Sequence, residues 1–108
     1  MNVADRRGEW EQRWETREGD RFVWNLDAVP ARLEALLTGG DVPAGAALDV
    51  GCGNGVVTAR LTRHFTPSVG LDIAFGAVVQ ARDRAVHEGA GATFVVADAS
   101  RLPLPARS

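Results

Sequence analysis

The hydrophobic and polar positions along the chain fall into two textures. In the N-terminal third, apolar residues recur at helical spacing among charges. The stretch Asp5 to Glu18 predicts a helix with Trp10 and Trp14 four residues apart on one face, stopped by Gly19-Asp20. A second helix is predicted from an Asp27 N-cap, with Pro30 in its first turn, Leu33, Leu36 and Leu37 on one face, and an end at Gly39-Gly40. From residue 46 short, continuous apolar runs alternate with helical ones. Ala46 to Val50 reads as a buried strand and Val56 to Phe65 as a helix. Ser68 to Ile73 reads as a second strand started after Pro67, Phe75 to Glu88 as a helix stopped by Gly89, and Thr93 to Ala97 as a third strand. The tail from Asp98 to Ser108 is a proline-containing loop. Strands alternating with helices of this length call for right-handed crossovers and a parallel sheet, so the fold class is α/β with two preceding helices.

Composition narrows this picture. With 108 residues there is room for one modest core. Apolar residues at 45% and charged residues at 24% are ordinary globular values, which excludes a disordered or collagen-like chain. Twelve basic residues against 14 acidic ones give a formal charge of −2, without the basic excess of an electrostatic nucleic-acid binder. A single cysteine, Cys52, excludes an internal disulfide framework and a Cys-rich metal site. The pattern predicts no membrane span and no signal peptide, hence a cytoplasmic protein.

The chemistry concentrates in Leu48-Asp49-Val50-Gly51-Cys52-Gly53-Asn54-Gly55, which leaves a strand and opens a helix. Glycines at alternate positions let the backbone turn sharply and approach a ligand, and the free N–H groups beyond them favour a carboxylate or phosphate. A dinucleotide fingerprint G-x-G-x-x-G fits Gly51 and Gly53, but its third position is Val56. Asp49, two residues before the loop, would also repel a pyrophosphate: unit charges 4 Å apart interact by about 4 kcal/mol at an effective dielectric near 20. An amino-acid ligand, carrying an ammonium beside its carboxylate, tolerates that carboxylate.

Asp49-Val-Gly-Cys-Gly-Asn-Gly55 resembles the first motif of the class I S-adenosylmethionine-dependent methyltransferases. Val69-Gly-Leu-Asp72-Ile73-Ala is similar to the family's second strand, and Val95-Val-Ala-Asp98-Ala99-Ser-Arg-Leu-Pro103 to its third strand and loop. The resemblance implies a Rossmann-like sheet and S-adenosyl-L-methionine as cofactor. It implies a glycine loop at Gly51, Cys52, Gly53 and Gly55 for the amino-acid end, with Asp49 touching the ligand or bracing the loop. Asp72 with Ile73 would hold the ribose hydroxyls, and Asp98 with the Ala99 amide the adenine. Glu9-Trp-Glu-Gln-Arg-Trp14 and Arg21-Phe-Val-Trp24 are weakly similar to the N-terminal helix of thiopurine methyltransferase-like and tellurite-resistance-like members, where the first helices form a lid. The domain division implied is residues 1–45 as helical lid and 46–108 as a partial cofactor-binding domain.

Each residue also has a plainer reading. The glycines make a turn, Asp72 a strand-end cap, and Asp98 an Asx-turn. Cys52 is a small loop residue, not a nucleophile. His64 and His87 are solvated on polar helix ends. Trp10 and Trp14 are packing anchors, and Trp24 is either core or a lid aromatic placing a cation–π contact on the sulfonium.

The implied activity is methyl transfer to a small molecule, with no catalytic side chain assigned and no metal. Family members follow Leu-Pro-x-Pro with a fourth strand that pairs with the first, whereas this sequence stops at Leu102-Pro-Leu-Pro-Ala-Arg-Ser108. The resemblance therefore implies a truncated domain, weak or inactive alone, whose first strand is an apolar edge open to self-association. The competing readings are a non-catalytic nucleoside-binding or interaction module, and a small NAD-binding domain disfavoured by Val56 and Asp49.

Overall fold

The computed structural model describes residues 3–15 and 28–104. Among these residues the order is α1 (Val3–Glu15), α2 (Ala31–Thr38), β1 (Gly45–Val50), α3 (Val56–Leu61), β2 (Phe65–Asp72), α4 (Phe75–Glu88) and β3 (Thr93–Val96). The strands form one parallel sheet in the order β1-β2-β3. Both crossovers therefore run through a helix, and α3 and α4 lie side by side against the sheet.

Register carries the strand ends to one level. Asp49 pairs with Gly70, and Gly70 with Phe94; one step on, Val50 pairs with Leu71 and Leu71 with Val95. In a parallel pair, side chains in one row share a face. The row Asp49, Gly70, Phe94 faces α3: the Thr58 hydroxyl bonds Asp49, and a Cβ at Gly70 would meet Thr58 Oγ1 and the Phe94 ring at 2.8 Å. Leu48 and Val50 alternate with Asp49 and so project the other way. They lie on the sheet edge that β1 forms among the described residues, with Val50 52% exposed.

Three sequence expectations are corrected. The second helix starts at Ala31 with Pro30 at its N-cap position, so proline closes the preceding chain and Asp27 is not the cap. Asp27 itself lies outside the described residues. The helix after the glycine loop ends at Leu61, because Arg63 and His64 fold back through turns onto Arg60 and Leu61, and Phe65 joins the sheet. Pro67 sits inside β2, not before it, at the outer part of the strand where the register with β1 shifts. The helix Phe75–Glu88, ended by Gly89 in a left-handed conformation, is as expected.

Two tertiary contacts tie the helices to this sheet. Arg60 of α3, nearly buried, makes a bidentate pair with Glu34 of α2, at 2.7 Å for Nη2 to Oε1. The pair holds Glu34 below its ordinary carboxylate range. Trp14 of α1 packs with Ala74 and Ala77 at the start of α4, and Trp10 lies against the same cluster.

Candidate functional site

The carboxyl ends of the strands and the inner face of α1 enclose one cavity of about 420 Å³, within the range of small-molecule and cofactor sites. Its floor is the segment after β1, where Gly51 and Cys52 both donate backbone N–H bonds to the Leu71 carbonyl, at 2.8 and 2.9 Å. These bonds fold the loop back over the end of β2. The loop then turns through positive φ at Gly51, Gly53 and Gly55. Gly55 shows why the third must be glycine. Its φ is +81°, and a Cβ there would lie 2.6 Å from Cβ of Ala81. Gly55 thus lets α3 pack against α4 and does not itself line the cavity, whereas Gly51, Cys52, Gly53 and Asn54 do. Asn54 Oδ1 accepts the Val56 N–H at 3.2 Å in an Asx-turn just before α3.

Each strand tip contributes a carboxylate, and each is held differently. Asp49 accepts the Thr58 hydroxyl at 2.7 Å. Burial lifts its pKa above the ordinary carboxylate value, the Thr58 bond opposes this, and the charge of Asp72 adds to the rise. Asp72 Oδ2 accepts the Gly53 N–H and Oδ1 the Ala74 N–H, both at 3.0 Å. One side chain thereby clamps the glycine loop to the turn before α4. Asp98 closes an Asx-turn, accepting the Ser100 N–H at 2.9 Å, while its carbonyl accepts the Arg101 N–H. The Ser100 bonds, with the nearby Arg6 and Arg7 charges, hold Asp98 below its ordinary range. Asp49, Asp72, Ile73, Asp98 and Ala99 all line the same cavity.

Cys52 is buried, and desolvation, followed by the Asp72 and Asp49 charges, pushes its thiol up to about 12. A thiol so disfavoured as thiolate is no nucleophile, in agreement with its reading as a small loop residue. Trp24 lies outside the described residues. Among the described residues no group of three or more His, Cys, Asp or Glu side chains is placed to hold a metal ion, and no helix is long and apolar enough to cross a membrane.

The resemblance implies a helical lid in residues 1–45, but the sequence did not assign Arg6, Trp10 and Trp14 to the cavity. Arg6, Trp10 and Trp14 line the cavity from α1. Trp14 is both the packing anchor expected and a wall: its ring edge would lie 3.8 Å from a Cβ at Gly53. The i, i+4 spacing of Arg6, Trp10 and Trp14 on a helix was the available signal.

A family model described as a methyltransferase domain matches residues 47–108, more than half of the chain. The chain belongs to the class I S-adenosylmethionine-dependent methyltransferases. Among curated relatives, the chain is 36% identical over 77 residues to the ubiquinone biosynthesis O-methyltransferase of Nitrosococcus oceani, covering 71% of this chain and 32% of the relative. A solved structure from echinomycin biosynthesis, described as converting a disulfide bond into a thioacetal group, shares 39% identity with a TM-score of 0.63. That match covers 69% of this chain and 31% of the other. A methyltransferase from Geobacter sulfurreducens in complex with S-adenosyl-L-homocysteine matches at 26% identity and a TM-score of 0.60, over 82% of this chain and 37% of that one. The chain thus spans about a third of the length of these relatives. The family uses S-adenosylmethionine as its methyl donor.

Proposed function

We propose that the cavity at the strand tips binds S-adenosyl-L-methionine and that the protein serves methyl transfer to a small-molecule acceptor. The observation that carries this is the meeting of three strand-tip carboxylates and a glycine loop around one cavity. The chemistry of the donor set fits. The Asp72 charge disfavours ionisation of Asp49, which a cationic ligand relieves and a pyrophosphate worsens. The backbone at Gly51 to Gly53 would take the amino-acid end. Asp72 uses one lone pair of each oxygen on the backbone, which leaves acceptor capacity for ribose hydroxyls. Asp98 and the Ala99 amide would meet the adenine.

The bound cofactor supplies an activated methyl group on a good leaving group. The protein's part is to hold donor and acceptor in line and to keep water out. Trp10 and Trp14 serve the second task as an apolar roof, and the first rests on a loop pinned by Leu71 and Asp72. The curated relative named for ubiquinone biosynthesis supports a small acceptor.

Titration calorimetry of the chain with S-adenosylhomocysteine, and separately with NAD, tests this reading. Tighter binding of the former is expected, with at least a tenfold loss in Asp72→Ala, or about 1.4 kcal/mol. Preference for NAD, or an Asp72→Ala protein of unchanged affinity, would overturn it.

A further inference from the structure

The start of α4 presents three consecutive backbone amides, at Ala74, Phe75 and Gly76. Ala74, at the N-cap position, offers no side-chain cap. The amides are capped instead by two carboxylates, one two residues back along the chain and one from α1. Asp72, on the cavity wall, takes the Ala74 N–H. Glu11 of α1 takes the Phe75 N–H through Oε1 and the Gly76 N–H through Oε2, the latter at 3.4 Å. Glu11 does not line the cavity, but its helix neighbours Trp10 and Trp14 do. Next to the carboxylate, Trp14 seats on Gly76, where a Cβ would lie 2.9 Å from Trp14 Cβ. A side chain at position 76 would push the helix off, and one without an acceptor at position 11 would leave the Phe75 and Gly76 amides uncapped.

We propose that Glu11 is a positioning residue that latches α1 over the cofactor cavity by capping α4 beside the residue that holds the ribose. The inference rests on the cofactor reading above for its ligand, but the latch itself is a property of the free protein. A carboxylate on two helix-start amides is a directional, charge-assisted contact, so it selects one seating of α1. That seating puts Trp10 and Trp14 over the glycine loop. Because Asp72 and Glu11 share one run of amides, the roof and the ribose clamp are registered to the same turn of backbone. Freeing Glu11 opens the roof without touching any residue that lines the cavity.

Amide hydrogen exchange of the free full chain and stopped-flow binding of S-adenosylhomocysteine test this with Glu11→Ala and the milder Glu11→Gln. In Glu11→Ala, protection of α1 and of the Phe75 and Gly76 amides should fall at least tenfold while β1–β3 keep theirs. Ligand dissociation should speed up about tenfold with association and stoichiometry unchanged, and Glu11→Gln should lie between. A merely destabilised fold would instead lower the binding fraction and leave the dissociation rate alone, which overturns the proposal. Unchanged protection of α1 in Glu11→Ala also overturns it. If the wild-type chain bound no S-adenosylhomocysteine, the cofactor reading would fail, and the exchange result alone would decide the latch.

Discussion

The floor and the roof of the cavity are built in opposite ways. The floor is held mostly by main chain: Gly51 and Cys52 donate to one carbonyl of β2, and the glycine turns take positive φ, with the Asp72 carboxylate on the Gly53 N–H as an added side-chain clamp. The roof is held through side chains, among them the Trp14 ring in a bed of small residues and the Glu11 carboxylate on two amides. Backbone contacts of the first kind form with the sheet itself and are lost only with it. Contacts of the second kind join a separate helix to the finished sheet, and local opening of such a helix costs far less than global unfolding. The floor therefore supplies shape, and the roof supplies access.

The sharpest way to break this contrast is to strike the floor. Gly55→Val places a branched side chain into Ala81 at a left-handed backbone position. Overpacking and the φ penalty together should cost about 4 kcal/mol. Loss of the cooperative thermal transition, with α1 and sheet protection falling together, is the expected result; a melt like the wild type's would show that α3 and α4 can move apart freely. Trp14→Ala strikes the roof. It should cost about 3 kcal/mol locally, yet leave exchange protection in β2 near wild type while α1 becomes unprotected. Equal loss in both regions would mean that roof and floor are one cooperative unit.

The smallest effect concerns two strand tips within the floor. The pKa of Asp49 is raised in the fold, so its contribution to stability is present in acid and is lost as pH rises from the ordinary carboxylate value through its folded pKa. Asp98 is lowered, so its contribution is present above the ordinary value and is lost as pH falls through its folded pKa. Asp49→Asn should therefore gain relative to wild type at pH 7 and lose that advantage at pH 4, in urea midpoints measured at both. A difference independent of pH would show that Asp49 titrates normally in the fold.

Much of the floor was legible along the chain. The helix Phe75–Glu88 appears at its expected bounds, and the three strands at theirs within a few residues, because continuous apolar runs and a 3.6-residue period are local signals. Asp72 and Asp98 stand out through the resemblance of their motifs to the family's second and third strands, and both wall the cavity. Boundaries decided by competing neighbours were not legible. Phe65 reads equally as the end of a helical stripe or the start of a strand, and pairing with Gly45 settles it. Gly55 was grouped with Gly51 and Gly53 by spacing alone, but its neighbour Ala81, 26 positions away, makes it a packing residue.

The amino-acid order alone thus determined the α/β alternation, the family and the carboxylates of the strand ends, since each is written in residues close along the chain. Only the tertiary structure decided that Glu11 caps a helix 64 residues away, that Trp14 is at once core and cavity wall, and that Asp49 and Asp98 are pushed in opposite directions. Those outcomes depend on which groups meet after the strands align. Burial, helix-end amides and neighbouring charges do not exist for a side chain until the fold has brought them to it.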